Sequence, residues 1–303
     1  MSIIKGELIK FKNGSGLVLD GIYFSSKKNK DSVIIHIHGS FSNFYANDFI
    51  NIMADVYVNS GYNFLSINLT QHDGIAEAIR EINGESTWEY VRYSLSSFDT
   101  CIDDINGAIA FAKKVGNKRI ILQGHSLGCN RIIHFCNCIQ NAYEIILLSP
   151  TDSKNLQEKW IYPESIESQI VRLEKMNNKQ TILYREHGVN TKGQLVDNIF
   201  DNIPYIPISP KSLLNLMKNP SFNFFNELAY TTPVSNVAFI YYGMEDEYQT
   251  HPIEEYSNLF KKYFSCTYLL VLQKGNHSFK NEELKVCNEI VSWLNNNQLK
   301  GIM

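Results

Sequence analysis

The sequence G-H-S-L-G at residues 124–128 contains the residue types that could most directly do chemistry. It follows a strand-like apolar run at residues 119–123 and precedes a helix-like run at residues 129–139. A serine at a tight turn between a strand and a helix is held at the helix N-terminus, with its hydroxyl exposed above the sheet. This context predicts that Ser126 is a nucleophile. The alternative is an ordinary serine at a helix N-cap.

A serine nucleophile needs a base to accept its proton, and the chain has eight histidines. His277 is the best placed of them, because residues 274–279 follow the last predicted strand and precede the last predicted helix. In open α/β sheets, sites form at the carboxyl ends of the strands. We therefore expect His277 to lie at the same edge of the sheet as Ser126.

The base in turn needs an acid that orients it and stabilises its charged form. Asp246 is the best candidate, since it follows directly after the predicted strand at residues 237–242 and so lies at the same edge. Glu245 and Glu247 flank it in the sequence and remain alternatives.

The elements that must position these residues are short apolar strands alternating with amphipathic helices. Strands are predicted at residues 8–11, 17–24, 33–38, 62–69, 118–123, 145–148, 237–242 and 268–272. The first two strands form a hairpin, and the alternation that follows predicts a mostly parallel sheet with helices on both faces. Residues 70–96 are predicted to be irregular.

The alternation stops between residues 151 and 232, a stretch with several prolines and many aromatic side chains. We therefore predict a core domain made of residues 1–150 and 233–303. Residues 151–232 are predicted to form a cap, or lid, inserted into that core.

The order Ser126, Asp246, His277 resembles that of the α/β-hydrolase superfamily. The resemblance also rests on the G-M-E-D sequence at residues 243–246 and on G-N-H-S-F at residues 275–279, and it covers nearly the whole chain. It implies the α/β-hydrolase fold, with a mostly parallel central sheet, an antiparallel N-terminal hairpin, helices on both faces and an inserted cap. It also implies that the three residues form a catalytic triad.

His38-Gly39-Ser40, after the third predicted strand, resembles the HG motif of the same superfamily. The resemblance implies that the backbone N–H groups of Ser40 and Leu127 form the oxyanion hole, with Phe41 as the alternative to Ser40. Phe41 and His125 are predicted to contact the substrate. The sequence G-H-S-L-G-C, with the segment at residues 94–99, is also similar to the DUF1749 group, which includes fungal siderophore ester hydrolases.

Composition narrows the class of partner. The formal net charge is −3, from 28 basic and 31 acidic side chains, which gives no electrostatic reason to expect nucleic acid or an anionic membrane as a partner. The apolar runs are too short to span a bilayer, and residues 1–7 lack the apolar stretch of a signal peptide. The six cysteines form no C-x-x-C pair, which favours reduced thiols in a cytoplasmic protein. The composition is also compatible with a homo-oligomer.

Together these features predict a serine hydrolase that cleaves a carboxylic ester, or a related lactone or thioester, through an acyl-enzyme. The expected partner is a small-molecule ester, and the chemistry requires no metal and no organic cofactor. Two alternatives use the same triad: an acyltransferase and a hydrolase of C–C bonds. A third alternative is a protein that binds a ligand in the same cleft without turnover.

Overall fold

The structure is a computed structural model that describes residues 5–28, 31–91, 96–158, 164–176, 182–184, 206–230, 237–264 and 266–300. The strands in this part of the chain are β1 (Glu7–Lys12), β2 (Leu17–Phe24), β3 (Ser32–Ile37), β4 (Asn63–Ile67), β5 (Ala76–Ile82), β6 (Glu85–Val91), β7 (Arg119–His125), β8 (Glu144–Leu148), β9 (Ile182–Tyr184), β10 (Ile206–Ile208), β11 (Val237–Gly243) and β12 (Cys266–Leu272). The helices are α1 (Phe49–Asn59), α2 (Thr100–Lys114), α3 (Leu127–Ile139), α4 (Ser153–Leu156), α5 (Ile166–Glu174), α6 (Pro210–Lys218), α7 (Ile253–Tyr263) and α8 (Glu283–Lys300).

One large sheet organises the described residues. Its strands follow the order β12-β11-β8-β7-β3-β4-β2-β5-β6, with β1 paired to β2 as well. The pairs from β4 through β3, β7, β8 and β11 to β12 are parallel, whereas β1, β5 and β4 each pair antiparallel to β2. The predicted mostly parallel sheet with an antiparallel N-terminal hairpin is therefore confirmed.

The central strands are apolar on both sides because helices cover both faces of the sheet. Every residue of β3 is buried. On one face, α2, α3 and α7 contribute to a large apolar cluster with the sheet. On the other face, α1 and α8 do the same. Burial on both sides holds the carboxyl ends of these strands in a fixed row. Ser126 follows β7, Asp246 follows β11, and His277 follows β12 at the end of the strand order.

The prediction that residues 70–96 are irregular was wrong. Residues 76–82 and 85–91 form an antiparallel hairpin that extends the sheet beyond β2. Its turn is Asn83-Gly84, and both residues have positive φ, at 52° and 85°. Asn-Gly is the preferred pair for such a two-residue turn, because its backbone twist matches that of the flanking strands. The Asn83-Gly84 pair was therefore the available signal for this hairpin in the sequence.

The segment between β8 and β11 is described only in part, since residues 159–163, 177–181, 185–205 and 231–236 lie outside the described residues. Within the described part, α5 and α6 pack together in an apolar cluster that also contains Phe98 and Leu127. The Asn215 side chain of α6 accepts hydrogen bonds from Ser97 Oγ and from the Phe98 N–H, at 2.7 and 2.8 Å. These contacts fix this segment above the start of α3. Of the segment at residues 94–99, residues 94 and 95 lie outside the described part.

Candidate active site

The turn between β7 and α3 holds Ser126 in an unusual backbone conformation, with φ 55° and ψ −126°. Its two flanking glycines allow the close packing that this turn needs. A Cβ on Gly124 would lie 2.6 Å from the backbone of Gly128, and one on Gly128 would lie 2.2 Å from the carbonyl oxygen of Ile37. An ordinary N-cap residue has extended dihedral angles and a side chain that accepts a helix N–H. Among the described residues, the Ser126 side chain accepts no such bond, so the N-cap alternative is not supported.

His277 and Asp246 form a buried hydrogen-bonded pair. The Nδ1 atom of His277 lies 2.9 Å from Oδ1 and 3.1 Å from Oδ2 of Asp246. The two side chains are only 9% and 3% exposed. An ionised carboxylate accepts hydrogen bonds only, so Nδ1 carries the proton in this pair and Nε2 of a neutral imidazole is left as the acceptor.

The acid was ambiguous in the sequence, and the structure separates the three candidates. Asp246 contacts the His277 ring, and its Oδ1 also accepts the Tyr248 N–H at 2.9 Å. Glu247 instead accepts the backbone N–H of His277 at 3.2 Å. Glu245 is exposed. The contact to Nδ1 that a triad acid would make therefore belongs to Asp246.

The backbone of His277 is fixed by two side chains on its carbonyl oxygen. Ser149 donates from Oγ at 2.8 Å, and His125 donates from Nε2 at 3.0 Å. Burial, and to a lesser extent the neighbouring His277, lowers the pKa of His125 well below its usual value, so His125 is neutral. Sequence reasoning missed Ser149, although it directly follows β8 at the same edge of the sheet, and that position was the available signal.

A cavity of about 300 Å³ opens beside these residues. Ser126 and His277 both line it, and so do the other predicted site residues Ser40, Phe41, His125 and Leu127. The segment between β8 and β11 contributes Ser153, Leu156 and Phe222. The structure thus brings the predicted nucleophile, base and substrate-contacting residues to one cavity, with Asp246 behind His277.

The two predicted oxyanion donors, Ser40 and Leu127, both line the cavity that Ser126 lines. Leu127 is the first residue of α3, and an N–H group at that position has no partner within its helix. Gly39, which precedes Ser40, approaches Ser126 so closely that a Cβ on it would lie 3.0 Å from the serine Cβ. Phe41, the alternative donor, has a positive φ of 53°.

The described residues contain no group of three or more histidine, cysteine or acidic side chains that could hold a metal ion. In the same part of the chain, no helix combines the length and the apolar character needed to cross a bilayer.

Several proteins of known structure are similar to this one. A highly thermostable carboxyl esterase from Bacillus coagulans is similar in structure, with a TM-score of 0.72 at 12% identity over 97% of this chain and 99% of that chain. Est1E from Butyrivibrio proteoclasticus, bound to ferulic acid, gives 0.62 at 14% identity over 94% and 97%. A monoacylglycerol lipase from Paleococcus ferrophilus gives 0.62 at 15% over 91% and 98%.

These similarities extend over nearly the full length of each chain and show that this protein has the α/β-hydrolase fold, as predicted. No protein-family model matches the sequence, and no curated protein matches it. The resemblance to the DUF1749 group stays a prediction.

Proposed function

We propose that the protein is a serine hydrolase that cleaves a carboxylic ester through an acyl-enzyme. The observation that carries this proposal is the buried bond from His277 to Asp246, with the histidine lining the same cavity as the strained Ser126. The named structural neighbours include a carboxyl esterase and a monoacylglycerol lipase, which supports ester cleavage as the chemistry.

In the proposed mechanism, Ser126 Oγ attacks the ester carbonyl carbon while His277 Nε2 accepts the hydroxyl proton. Asp246 holds the ring in the required tautomer and stabilises its positive charge. The backbone N–H groups of Ser40 and Leu127 hydrogen-bond to the oxyanion that develops on the carbonyl oxygen, each worth about 3–4 kcal/mol of barrier. His277 then protonates the leaving alcohol. A water molecule, deprotonated by the same nitrogen, then attacks the acyl carbon. The bond from that carbon to Ser126 Oγ breaks, His277 returns the proton to Oγ, and the acid is released.

The acyl-enzyme intermediate provides the test of this function. We expect the protein to release nitrophenolate from p-nitrophenyl esters with acyl chains of graded length. Added hydroxylamine should divert the acyl group to a hydroxamate, because it competes with water for the acyl-enzyme. If a folded protein released nitrophenolate from no ester in the series, ester hydrolysis would be excluded for this class of substrate.

Two further measurements, one with an added alcohol and one with a diketone substrate, address two of the alternatives. Quantitative transfer to an added alcohol in preference to water would identify an acyltransferase, and cleavage of a diketone in place of the esters would identify a hydrolase of C–C bonds. A protein that only binds its ligand would neither transfer the acyl group nor cleave any of these substrates. Because Ser126, Asp246 and His277 are all present and the last two are in contact, we favour turnover.

We also propose that residues 151–232 form a cap that selects the substrate on a core of residues 1–150 and 233–303. Support comes from Ser153, Leu156 and Phe222, which line one wall of the cavity from this segment. The cavity lining mixes polar side chains such as Ser42 and Asn47 with apolar ones. This composition favours a small ester that carries some hydrogen-bonding groups.

The charge of the cavity lining gives a prediction about substrate selectivity. Glu247 lines the cavity, whereas no lysine or arginine does so in the part of the chain that the structure describes. We expect Glu247→Gln to raise kcat/KM for an ester with an anionic acyl chain about 3- to 10-fold relative to its neutral analogue. The effect is modest because Glu247 is exposed and water screens its charge.

The comparison uses the p-nitrophenyl monoester of glutaric acid and p-nitrophenyl pentanoate. Glu245→Gln is the matched control, because Glu245 is also exposed but does not line this cavity. Equal changes in the two variants would show that Glu247 has no specific effect on the substrate.

We propose a cytoplasmic location because of the state of the cysteine side chains. Cys101, Cys129 and Cys287 are buried free thiols, and Cys138 is an exposed one. Free thiols are typical of a reducing compartment.

A further inference from the structure

Arg131 is a fully buried arginine on α3, little more than one turn after Ser126. The proposed mechanism gives it no role, and burying a guanidinium in the core costs free energy unless its donors are satisfied. Its Nη1 donates to two successive backbone carbonyls, those of His38 at 2.9 Å and of Gly39 at 3.3 Å. Its Nη2 donates to Gln71 Oε1 at 3.3 Å. Arg131 therefore joins the helix that follows Ser126 to the loop that follows β3.

His38 holds the same loop from a second direction. The Leu69 N–H donates to His38 Nε2 at 3.2 Å, which makes Nε2 the acceptor of this ring. The proton is therefore on Nδ1, and that atom donates to the Gly39 carbonyl at 2.8 Å. Burial and the nearby charge of Arg131 lower the pKa of His38 well below its usual value, in keeping with a neutral ring.

The hydrogen bonds from His38 and Arg131 to the Gly39 carbonyl fix the direction of the Ser40 N–H group. In a trans peptide, the carbonyl and the N–H of one plane point in opposite directions. The Gly39 carbonyl points at His38 and Arg131, which are both fully buried and do not line the cavity. The N–H of Ser40 therefore points away from them. Ser40 lines the cavity, and Gly39 borders Ser126.

We propose that Arg131, together with His38, is a positioning residue that holds the Gly39–Ser40 peptide with the Ser40 N–H directed at the developing oxyanion. This inference rests on the proposed function. The inference also identifies Ser40, and not Phe41, as the oxyanion donor. The two carbonyls that Arg131 binds belong to the two residues before Ser40. Arg131 acts through the backbone and touches no substrate atom.

Asp104 on α2 is a buried acid whose pKa is affected by the charge of Arg131. Asp104 is fully buried and accepts hydrogen bonds from Asn13 Nδ2 at 2.7 Å and from the N–H and hydroxyl of Thr70, both at 2.8 Å. Burial raises the pKa of Asp104 to about 6, and these bonds and the charge of Arg131 oppose that rise. The charge of Arg131 therefore favours the ionised form of Asp104.

The test compares an ester with its thionoester, in which sulfur replaces the carbonyl oxygen. Sulfur is a weak hydrogen-bond acceptor, so the thionoester gains less from an oxyanion donor. We expect Arg131→Met to lower kcat for the ester about 10- to 100-fold with KM changed less than about 3-fold, because small misplacement of a donor is costly in the transition state. The ratio of ester rate to thionoester rate should fall several-fold, and Arg131→Lys should give an intermediate ratio.

Arg119→Met is the matched control. Arg119 begins β7, at the far end of the strand from Ser126, and is paired with Glu144. We expect this variant to keep the wild-type kcat and the wild-type ratio even if its stability falls.

A folded Arg131→Met protein whose rate ratio equals that of the wild type would overturn the inference, whether or not kcat falls, because a merely structural role lowers both rates alike. If Arg131→Met does not fold, Arg131→Lys decides the question by the same criterion. A wild-type protein that hydrolyses neither ester would instead contradict the proposed function.

Discussion

Replacing Ser126 by alanine is expected to lower kcat for p-nitrophenyl ester hydrolysis by about 10⁶-fold, as removal of the nucleophile does in related triads. Alanine has no hydroxyl to attack the carbonyl carbon, so only slow direct attack by water remains. The substitution should leave the fold intact, because alanine and serine both carry a Cβ and meet the same strain at φ 55°. Initial rates and thermal unfolding of the same preparations provide the measurement.

Ser60→Ala is the control for this substitution, since Ser60 lies at the end of α1 and does not line the cavity. It should keep the wild-type rate. Hydrolysis by Ser126→Ala at more than about one hundredth of the wild-type rate would mean that another group attacks the ester.

Replacing Asp246 by asparagine is expected to lower kcat by about 10⁴-fold, the loss caused by the same change in a related triad. Oδ1 of Asp246 accepts the Tyr248 N–H, and an asparagine oxygen can keep that bond. Asparagine is neutral, however, so it no longer stabilises the positive charge that His277 gains when it accepts the proton of Ser126. Its amide nitrogen, at the Oδ2 position 3.1 Å from His277 Nδ1, is also a donor and so weakens the preference for the tautomer that leaves Nε2 as the acceptor.

Glu245→Gln removes the same charge from the neighbouring exposed residue and should leave kcat within about twofold. Steady-state rates at saturating ester compare the two variants. A large loss in Glu245→Gln with a small one in Asp246→Asn would transfer the role of the acid to Glu245.

The strands that position the site could be predicted because central parallel strands are apolar on both faces. Such runs in β3, β7, β8 and β11 mark strand ends, and residues that follow parallel strands gather at one edge of the sheet. Ser126 follows β7, and His277 follows β12, which pairs parallel to β11, so the same rule predicts that the two residues lie at one edge of the sheet.

Other parts of the site depend on contacts between residues far apart in the sequence. The choice of Asp246 over its acidic neighbours depends on how the turn after β11 directs three consecutive side chains, and composition says nothing about that. Arg131 reaches carbonyls 92 and 93 residues away, and no local pattern records such a contact. Leu156 and Phe222, which line the cavity, belong to no periodic pattern in the sequence. The substrate was therefore the feature that could least be predicted from the sequence.

Covalent labelling with a fluorophosphonate tests the central claim most directly, because this reagent phosphonylates a serine that a neighbouring base has activated. Digestion and peptide mass spectrometry of the wild-type protein should place one adduct on Ser126. The adduct should be absent from Ser126→Ala, and it should form much more slowly in Asp246→Asn. An adduct on a different residue, or equal labelling of Ser126→Ala, would contradict the account.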